Sequence, residues 1–472
     1  MMFKKNIFIC VALVCSLMGF SQESQKIKYK KNTRGACEIE GKLEFPNKSK
    51  YSKIFLYEIK GNDEYILDSA NIQSHEFSFK STVFPTGVYR LSFAHPSNHE
   101  TLDFVINPEE SAKMFINITH NTIKRGYNIQ GSVENKIKKL YTTKEQSIEQ
   151  KVKLIRKSQK PRDQKIAEMR TLQDELFDYG VSLNNQYPGT FFGMILSHMQ
   201  SKNINSSHLY FNDIDFTDES IVRSSLLPNR IQVYFQTHAN WPNNQYGFHD
   251  AIDYVMENAK VNDYVAEFCM YNMLDGFYNT GQADKKGAAI WMELCNYIMD
   301  EYIFGEGCGD DVEPSQLLKE RASQFKNLQL GNIPPNFSVS DINGNTVNLK
   351  NICKKHKFTV LMFWASHCTH CMTELPGFAS WYNKNSNRDF EIIAVSLDRS
   401  ENKWRQTVKD NNFNWRNLCQ FKDNVGLVYK SPICLDYKIK KTPTMFVLNK
   451  SMQIVAKPKS THQLRSFLLS NK

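Results

Sequence analysis

Two cysteines stand two residues apart in FWASHCTHCMTELP, Phe363 to Pro376, and a histidine precedes each, giving His367-Cys368 and His370-Cys371. Three kinds of chemistry use such a set. A dithiol can close and open as a disulfide, thiolates and imidazoles can hold Cu(I) or Zn, and two buried thiols can be inert core. The surrounding pattern favours the first. FTVLMFW, Phe358 to Trp364, is a continuous apolar run of the kind buried in mid-sheet, and a helical stretch follows Cys368. The pair therefore falls where a strand ends and a helix begins, and free N–H groups and the helix dipole there stabilise negative charge. The attacking species is the thiolate. Cys368, at the tip, is expected to be exposed and acidic, and Cys371, one turn in, shielded. Cys368 then attacks a substrate disulfide and Cys371 resolves the mixed disulfide. No separate cofactor is implied, because the Cys368–Cys371 pair carries the electrons. His370 is either a redox-tuning stabiliser of the Cys368 thiolate or a solvent-facing loop residue. No metal site is expected: four ligands on one tight turn point different ways. A distal His462 is the one addition that makes a copper or zinc chaperone imaginable.

The elements that must position this pair occupy the last third of the chain. From Leu328 the pattern alternates β and α. FSVSDINGNTVNL, Phe337 to Leu349, reads as two strands around Asn343-Gly344. DFEIIAVSL (Asp389 to Leu397), TMFVLN (Thr444 to Asn449) and QIVA (Gln453 to Ala456) read as further strands, with helices after Cys368, near Glu401 to Asp410 and at Gln463 to Leu469. This is a mixed sheet with helices on both faces.

Ahead of it lie two other regions. Residues 35–132 alternate at period two, as in Ile54 to Tyr57, Phe77 to Phe79, Val88 to Leu91, Phe104 to Ile106 and Met114 to Ile116, and predict a small antiparallel β-sandwich. Residues 133–327 read as helices, at Lys136 to Gln186, His249 to Tyr278, Gly287 to Phe304 and Ser315 to Leu328, with Pro161, Pro188 and Pro228 as breaks. Ile290, Trp291, Leu294, Ile298 and Met299 recur at helical spacing and predict core. The fold class is thus multidomain, an N-terminal β-sandwich, a helical middle and a C-terminal α/β domain over 328–472. A length of 472 residues fits two or three such cores.

The first 21 residues read as a signal peptide, with Lys4 and Lys5, the apolar run Ile7 to Phe20, and small Gly19 and Ser21 before Gln22. The expected location is the periplasm or cell envelope, where disulfides persist. Of 11 cysteines, Cys10 and Cys15 leave with the leader; Cys37, Cys269, Cys295, Cys308, Cys353, Cys419 and Cys434 are scattered. Buried inert thiols are the default for these, with a 295–308 or 419–434 disulfide conceivable. The net charge of +10 is concentrated at Lys26 to Arg34 and Lys151 to Lys165. The second cluster has no interleaved aromatics, so solvated helix surface is favoured and no nucleic-acid partner is expected.

Residues 328–472 resemble the thioredoxin fold and its exported TlpA/ResA-like thiol–disulfide oxidoreductase branch. The resemblance is carried by GNIPPNFSVSDINGNTVNL, FWASHCTHCMTELP, VSLD at Val395 to Asp398, and KTPTMFVLN around Pro443. It implies that Pro443 is a cis-proline opposite the cysteines, with Thr442 presenting backbone to a substrate peptide, and that Glu374 relays a proton to or from Cys371. Two departures stand out: His367 replaces the family's tryptophan before the first cysteine, and Thr369-His370 replaces its proline-containing dipeptide. Trp364, three positions before His367, is expected to wall the site and help tune it. IEGKLEF (Ile39 to Phe45), LDSANIQSHEFSF (Leu67 to Phe79) and NIQGSVEN (Asn128 to Asn135) resemble a β-rich domain of unknown function that precedes such modules. The implied partners are protein thiols or disulfides and a membrane electron donor or acceptor, with a reductant preferred over an oxidant. A peroxidase is disfavoured, because Cys353 lacks the Pro and Thr such enzymes place before their cysteine. A non-enzymatic envelope interaction protein is the remaining alternative.

Overall fold

The computed structural model describes residues 29–471 except 46–52, 94–99, 121–122, 124–125, 240–245, 284–287, 306–312, 386–388 and 422–430. The expected signal peptide with Cys10 and Cys15, and Cys308, lie outside the described residues. The chain divides into two compact units, one running to Ser315 and one from Gln316.

The N-terminal unit begins with eight strands: β1 (Arg34–Leu43), β2 (Lys53–Lys60), β3 (Asp63–Asn71), β4 (Glu76–Pro85), β5 (Gly87–Phe93), β6 (Glu100–Ile106), β7 (Lys113–Ile118) and β8 (Tyr127–Gln130). They form two four-stranded sheets, β4-β1-β7-β8 and β3-β2-β5-β6. The predicted alternation puts Ile39, Phe79, Met114 and Ile116 of one sheet in the same core as Leu56, Tyr89, Leu91 and Phe104 of the other. One expectation is corrected: the sandwich is not wholly antiparallel, because β1 and β7 run parallel. The chain returns to β7 after building the other sheet rather than by a hairpin, so it re-enters beside β1 in the same direction. Gly41 lies where a Cβ would stand 2.7 Å from the Ile116 carbonyl, so β1 can approach β7 there only without a side chain.

Helices follow at α1 (Val133–Lys157), α2 (Arg162–Gln186), α3 (Phe191–Ser197), α4 (Leu226–His238), α5 (Tyr246–Ala259), α6 (Asp263–Ala283) and α7 (Ala288–Tyr297). The Lys136 to Gln186 stretch is two helices, broken between Ser158 and Pro161, as the proline predicts. Leu294, Ile298 and Met299 are buried as predicted, the last two on a π-helical turn, Ile298–Ile303, that continues α7. Cys269 and Cys295 are buried thiols that are not disulfide-bonded. Two polar joints tie helices to the sandwich. Glu134, fully buried at the start of α1, accepts from Asn107 Nδ2 (2.8 Å) and from the backbone N–H groups of Phe191 (2.7 Å) and Phe192 (2.8 Å). Arg223 Nε lies 3.0 Å from Glu58 Oε1, both nearly buried.

The C-terminal unit contains α8 (Gln316–Asn327), β9 (Ser338–Ser340), β10 (Thr346–Asn348), α9 (Leu349–Cys353), β11 (Phe358–Trp364), α10 (Thr369–Lys384), β12 (Phe390–Ser396), α11 (Glu401–Asp410), β13 (Arg416–Leu418), α12 (Pro432–Asp436), β14 (Thr444–Asn449), β15 (Ile454–Ala456) and α13 (Thr461–Ser470). The helix expected at the end of the middle region, α8, thus belongs to this unit. β9 and β10 pair as the predicted hairpin; Gly344 takes φ +86°, and Asp341 Oδ1 accepts from the N–H groups of Asn343 (2.9 Å) and Asn345 (2.8 Å). The main sheet has the order β13-β12-β11-β14-β15. β11 runs parallel to β12 and antiparallel to β14. On one face Val360, Met362 and Trp364 share a core with Leu375 and Phe378 of α10 and Leu464 of α13. On the other, the Phe363 ring meets that of Tyr437, just after α12 (centroids 5.4 Å apart). A central strand buried on both faces reads as the unbroken apolar run seen in the sequence.

Candidate active site

β11 delivers the chain to the end of the sheet, and Ala365, Ser366 and His367 turn it into α10. The turn is held by Asp398, which is only 2 % exposed and lies just past the end of the neighbouring strand β12. Its carboxylate accepts from Ser366 N–H (3.1 and 3.0 Å to its two oxygens), Ser366 Oγ (2.6 Å) and Ser396 Oγ (2.8 Å). The backbone adds Leu397 N–H to Trp364 O (2.8 Å) and Cys368 N–H to Ala365 O (3.1 Å). A buried carboxylate with this many donors fixes the loop because the alternative is an unpaired buried charge.

Cys368 is the N-cap of α10, with extended φ −85° and ψ 104°. Its Sγ lies 3.1 Å from the Cys371 N–H and 3.3 Å from the Thr442 carbonyl oxygen. The two cysteines form a disulfide with Cα atoms 5.2 Å apart. Cys368 is half-buried, whereas Cys371 is fully buried in the core beneath. In the reduced state this geometry offers a Cys368 thiolate an N–H donor at a helix tip, the arrangement that stabilises negative charge. The Thr442–Pro443 peptide bond is cis, and Pro443 is half-buried at the head of β14.

The other expected site residues are placed differently from one another. Glu374 lies one turn along α10, 19 % exposed; its Oε2 accepts from Thr461 N–H at the start of α13 (2.8 Å), and its Oε1 lies 3.2 Å from His370 Nε2. His370, 59 % exposed, therefore engages Glu374. His367, 58 % exposed, turns the opposite way, with Nδ1 3.5 Å from Asp398 Oδ1. Trp364 does not wall the site: it is fully buried in the core cluster that also holds Cys371, its ring 5.3 Å from that of Phe413. It shares the β11 face of Val360 and Met362, and a two-residue period forces it there. Among the described residues no group of three or more His, Cys, Asp or Glu is placed to hold a metal ion, and His462 is exposed on α13. Cys353, Cys419 and Cys434 are buried and not disulfide-bonded, and burial pushes the Cys434 thiol up to about 11. The residue the sequence reading passed over is Asp398, quoted in VSLD without a role. A lone carboxylate ending an otherwise apolar strand was the available signal.

Residues 330–457 match the AhpC/TSA family, and residues 37–137 match a domain of unknown function, DUF4369. The sporulation thiol-disulfide oxidoreductase A of Bacillus subtilis is 32% identical over 122 residues, which cover 26% of this chain and 69% of that protein. The chain belongs to the ResA-like thiol–disulfide oxidoreductases. The thiol-disulfide oxidoreductase ResA of Bacillus cereus is 29% identical over 144 residues, covering 30% of this chain and 78% of its own. Among solved structures, a thiol:disulfide interchange protein from Bacteroides sp. is 26% identical over 30% of this chain and 90% of its own, with a TM-score of 0.27. A thioredoxin-like protein from Bacteroides caccae is 14% identical over 57% of this chain and 92% of its own, with a TM-score of 0.35. In this oxidoreductase a thioredoxin-like unit follows a β-rich and a helical region.

Proposed function

We propose that this oxidoreductase reduces disulfides of protein clients in the cell envelope through Cys368 and Cys371. The Cys368 thiolate attacks one sulfur of a client disulfide; the Cys368–client bond forms, the client S–S bond breaks, and the departing client thiolate takes a proton from solvent. Cys371, deprotonated, then attacks Cys368 Sγ. The Cys368–Cys371 bond forms, the second client sulfur leaves as a thiol, and two electrons have passed to the client. A membrane dithiol donor restores the reduced pair. Glu374 receives the Cys371 proton, Thr442 and Pro443 offer backbone to the client strand, and His370 biases the pair through Glu374.

The observation that carries this reading is the asymmetry of the two sulfurs. One is half-exposed at the helix tip beside the Cys371 N–H and the Thr442 carbonyl; its partner is buried. That is an attacking and a resolving position. The test is insulin reduction by the full chain and by Cys368→Ser and Cys371→Ser, with the reduction potential of the pair. Cys368→Ser loses activity and Cys371→Ser accumulates a client mixed disulfide. A potential near −270 mV supports a reductant and one near −120 mV an oxidant, both roughly. Equal activity in Cys368→Ser removes the proposal.

A further inference from the structure

In the N-terminal unit the outer edge of β8 lies open beside the first turns of α1. β8 ends the strand order β4-β1-β7-β8, and among the described residues no strand pairs with its far side. The register says which of its backbone groups face outward. Thr119 N–H donates to Gly126 O (3.0 Å), and the ladder continues with Asn117 opposite Asn128 and Phe115 opposite Gln130. Backbone groups alternate in direction along an antiparallel pair, so those of Asn128 and Gln130 turn toward β7 and those of Tyr127 and Ile129 turn away. Lys139 confirms the direction: from α1, its Nζ reaches the Tyr127 carbonyl oxygen (3.0 Å). Among the described residues the Ile129 N–H and C=O meet no protein partner.

A groove of about 680 Å³ runs along this edge, with Ile129, Leu140 and Tyr179 among its apolar lining. Lys136, Lys139 and Lys144 line it as well, and none of its described lining residues is an aspartate or glutamate. Lys144 is paired with Glu175 and is set aside. Lys136 lies over the Tyr187 ring (5.1 Å to its centroid), and Lys139 lies over the Tyr127 ring (5.5 Å) as well as on its carbonyl. Those contacts hold the two ammonium groups in place, but a ring and a carbonyl carry no negative charge to cancel theirs. The wall thus sets two positioned cations beside an outward-facing peptide group.

We propose that this groove binds an extended acidic segment of another protein, which adds to β8 as a fifth strand. Ile129 exchanges both of its outward hydrogen bonds with one residue of the incoming segment. Side chains of a strand alternate between faces, so residues two apart point the same way, about 6.7 Å from each other. Lys136 and Lys139 stand one helical turn apart, about 5–6 Å between Cβ atoms, and their flexible stems cover the difference. Two carboxylates at alternate positions therefore meet both cations at once, and opposite charge selects such a segment over a neutral or basic one.

The test uses the full chain and fluorescein-labelled eight-residue peptides that alternate threonine with either glutamate or lysine. A third peptide is the glutamate one N-methylated at alternate amides, made in both phases, which keeps the charge and blocks strand pairing on one edge or the other. Binding is read by fluorescence anisotropy and located by hydrogen exchange. The glutamate peptide is expected to bind at least about tenfold more tightly than the lysine peptide at about 20 mM NaCl, with most of that margin gone at about 500 mM. One N-methylated phase loses binding, and fragments containing Ile129 gain protection from exchange only with peptide bound. In Lys136→Glu with Lys139→Glu, two exposed positions, the affinity falls at least about tenfold. Equal binding of the glutamate and lysine peptides overturns the proposal, as does full binding by both N-methylated phases. Binding without protection at Ile129 places the peptide elsewhere and also overturns it. Retention of laurate with no retention of peptide marks a small-anion pocket and overturns strand addition. The peptide series and the exchange map need no variant, so a misfolded double mutant leaves the test decisive.

Discussion

Removing the Asp398 carboxylate tests whether the loop before Cys368 is held in place from the neighbouring strand. Asp398→Ala deprives three donors, Ser366 N–H, Ser366 Oγ and Ser396 Oγ, of one acceptor in a site with almost no solvent access. Hydrogen bonds to a charged group contribute about 1.5–3 kcal/mol each, and an orphaned buried donor costs about 1–3 kcal/mol. A simple sum overshoots, because deleting the charge also relieves its burial cost and the serine hydroxyls can turn to other acceptors. We expect a net loss of about 3–4 kcal/mol, or roughly a 10 °C fall in the melting point of a unit this size. Asp398→Asn keeps the shape and one acceptor oxygen and is expected to cost about 1–2 kcal/mol. Urea denaturation followed by tryptophan fluorescence is the assay, since Trp364, Trp381, Trp404 and Trp415 all lie in the C-terminal unit. Insulin reduction should fall in parallel at temperatures where the variants remain folded, because the same carboxylate orients Cys368. An alanine variant within about 0.5 kcal/mol of wild type, or one indistinguishable from asparagine, would refute the anchoring argument.

Other outcomes follow from the same structure. Burial lifts the Glu134 carboxyl above its ordinary 4.5, against the pull of three N–H donors. The folded state therefore holds more protons than the unfolded one above that pH, so this group's contribution falls as pH rises. The stability advantage of wild type over Glu134→Gln should accordingly shrink between 4.5 and neutral pH in urea titrations. Glu374→Gln retains an acceptor for Thr461 N–H and should cost under about 1 kcal/mol, whereas Glu374→Ala should cost about 1–2 kcal/mol, both read by chemical denaturation. His370→Ala, which breaks only an exposed pairing, should change stability by less than about 0.5 kcal/mol in the same assay. Burial pushes the Cys37 and Cys434 thiols up to about 11, so neither should react with iodoacetamide in the native chain, and both should in urea, as mapped by mass spectrometry.

Local signals carried much of this architecture, and non-local ones did not. The place of the cysteine pair followed from Phe358 to Trp364, whose unbroken apolar character reflects burial on both faces, and the Asn343-Gly344 turn marked its hairpin. β3 was invisible as a strand because its side chains are half-buried or exposed, Ile66 and Leu67 included, so no alternation betrays it. The parallel pairing of β1 with β7 joins residues about 75 apart in the chain, beyond the reach of any periodicity. At the site, the sequence placed Cys368, Cys371 and Glu374 on one helix. It could not tell which carboxylate each histidine faces, because Asp398 and Glu374 are separated by a strand and most of a helix. Trp364 was misread as a wall because its nearness to Cys368 in the chain outweighed its parity along the strand.

The Glu134 joint has a consequence for dissecting this molecule. A cut between residues 132 and 133, where strand-rich sequence gives way to helix-rich sequence, would part the Glu134 carboxyl from Asn107 and leave polar atoms unpaired in what had been interior. Fragments made there should be insoluble or protease-sensitive on both sides of the cut. Severing the chain near Ser315 leaves every such partner with its mate, so a two-piece expression strategy belongs at that position.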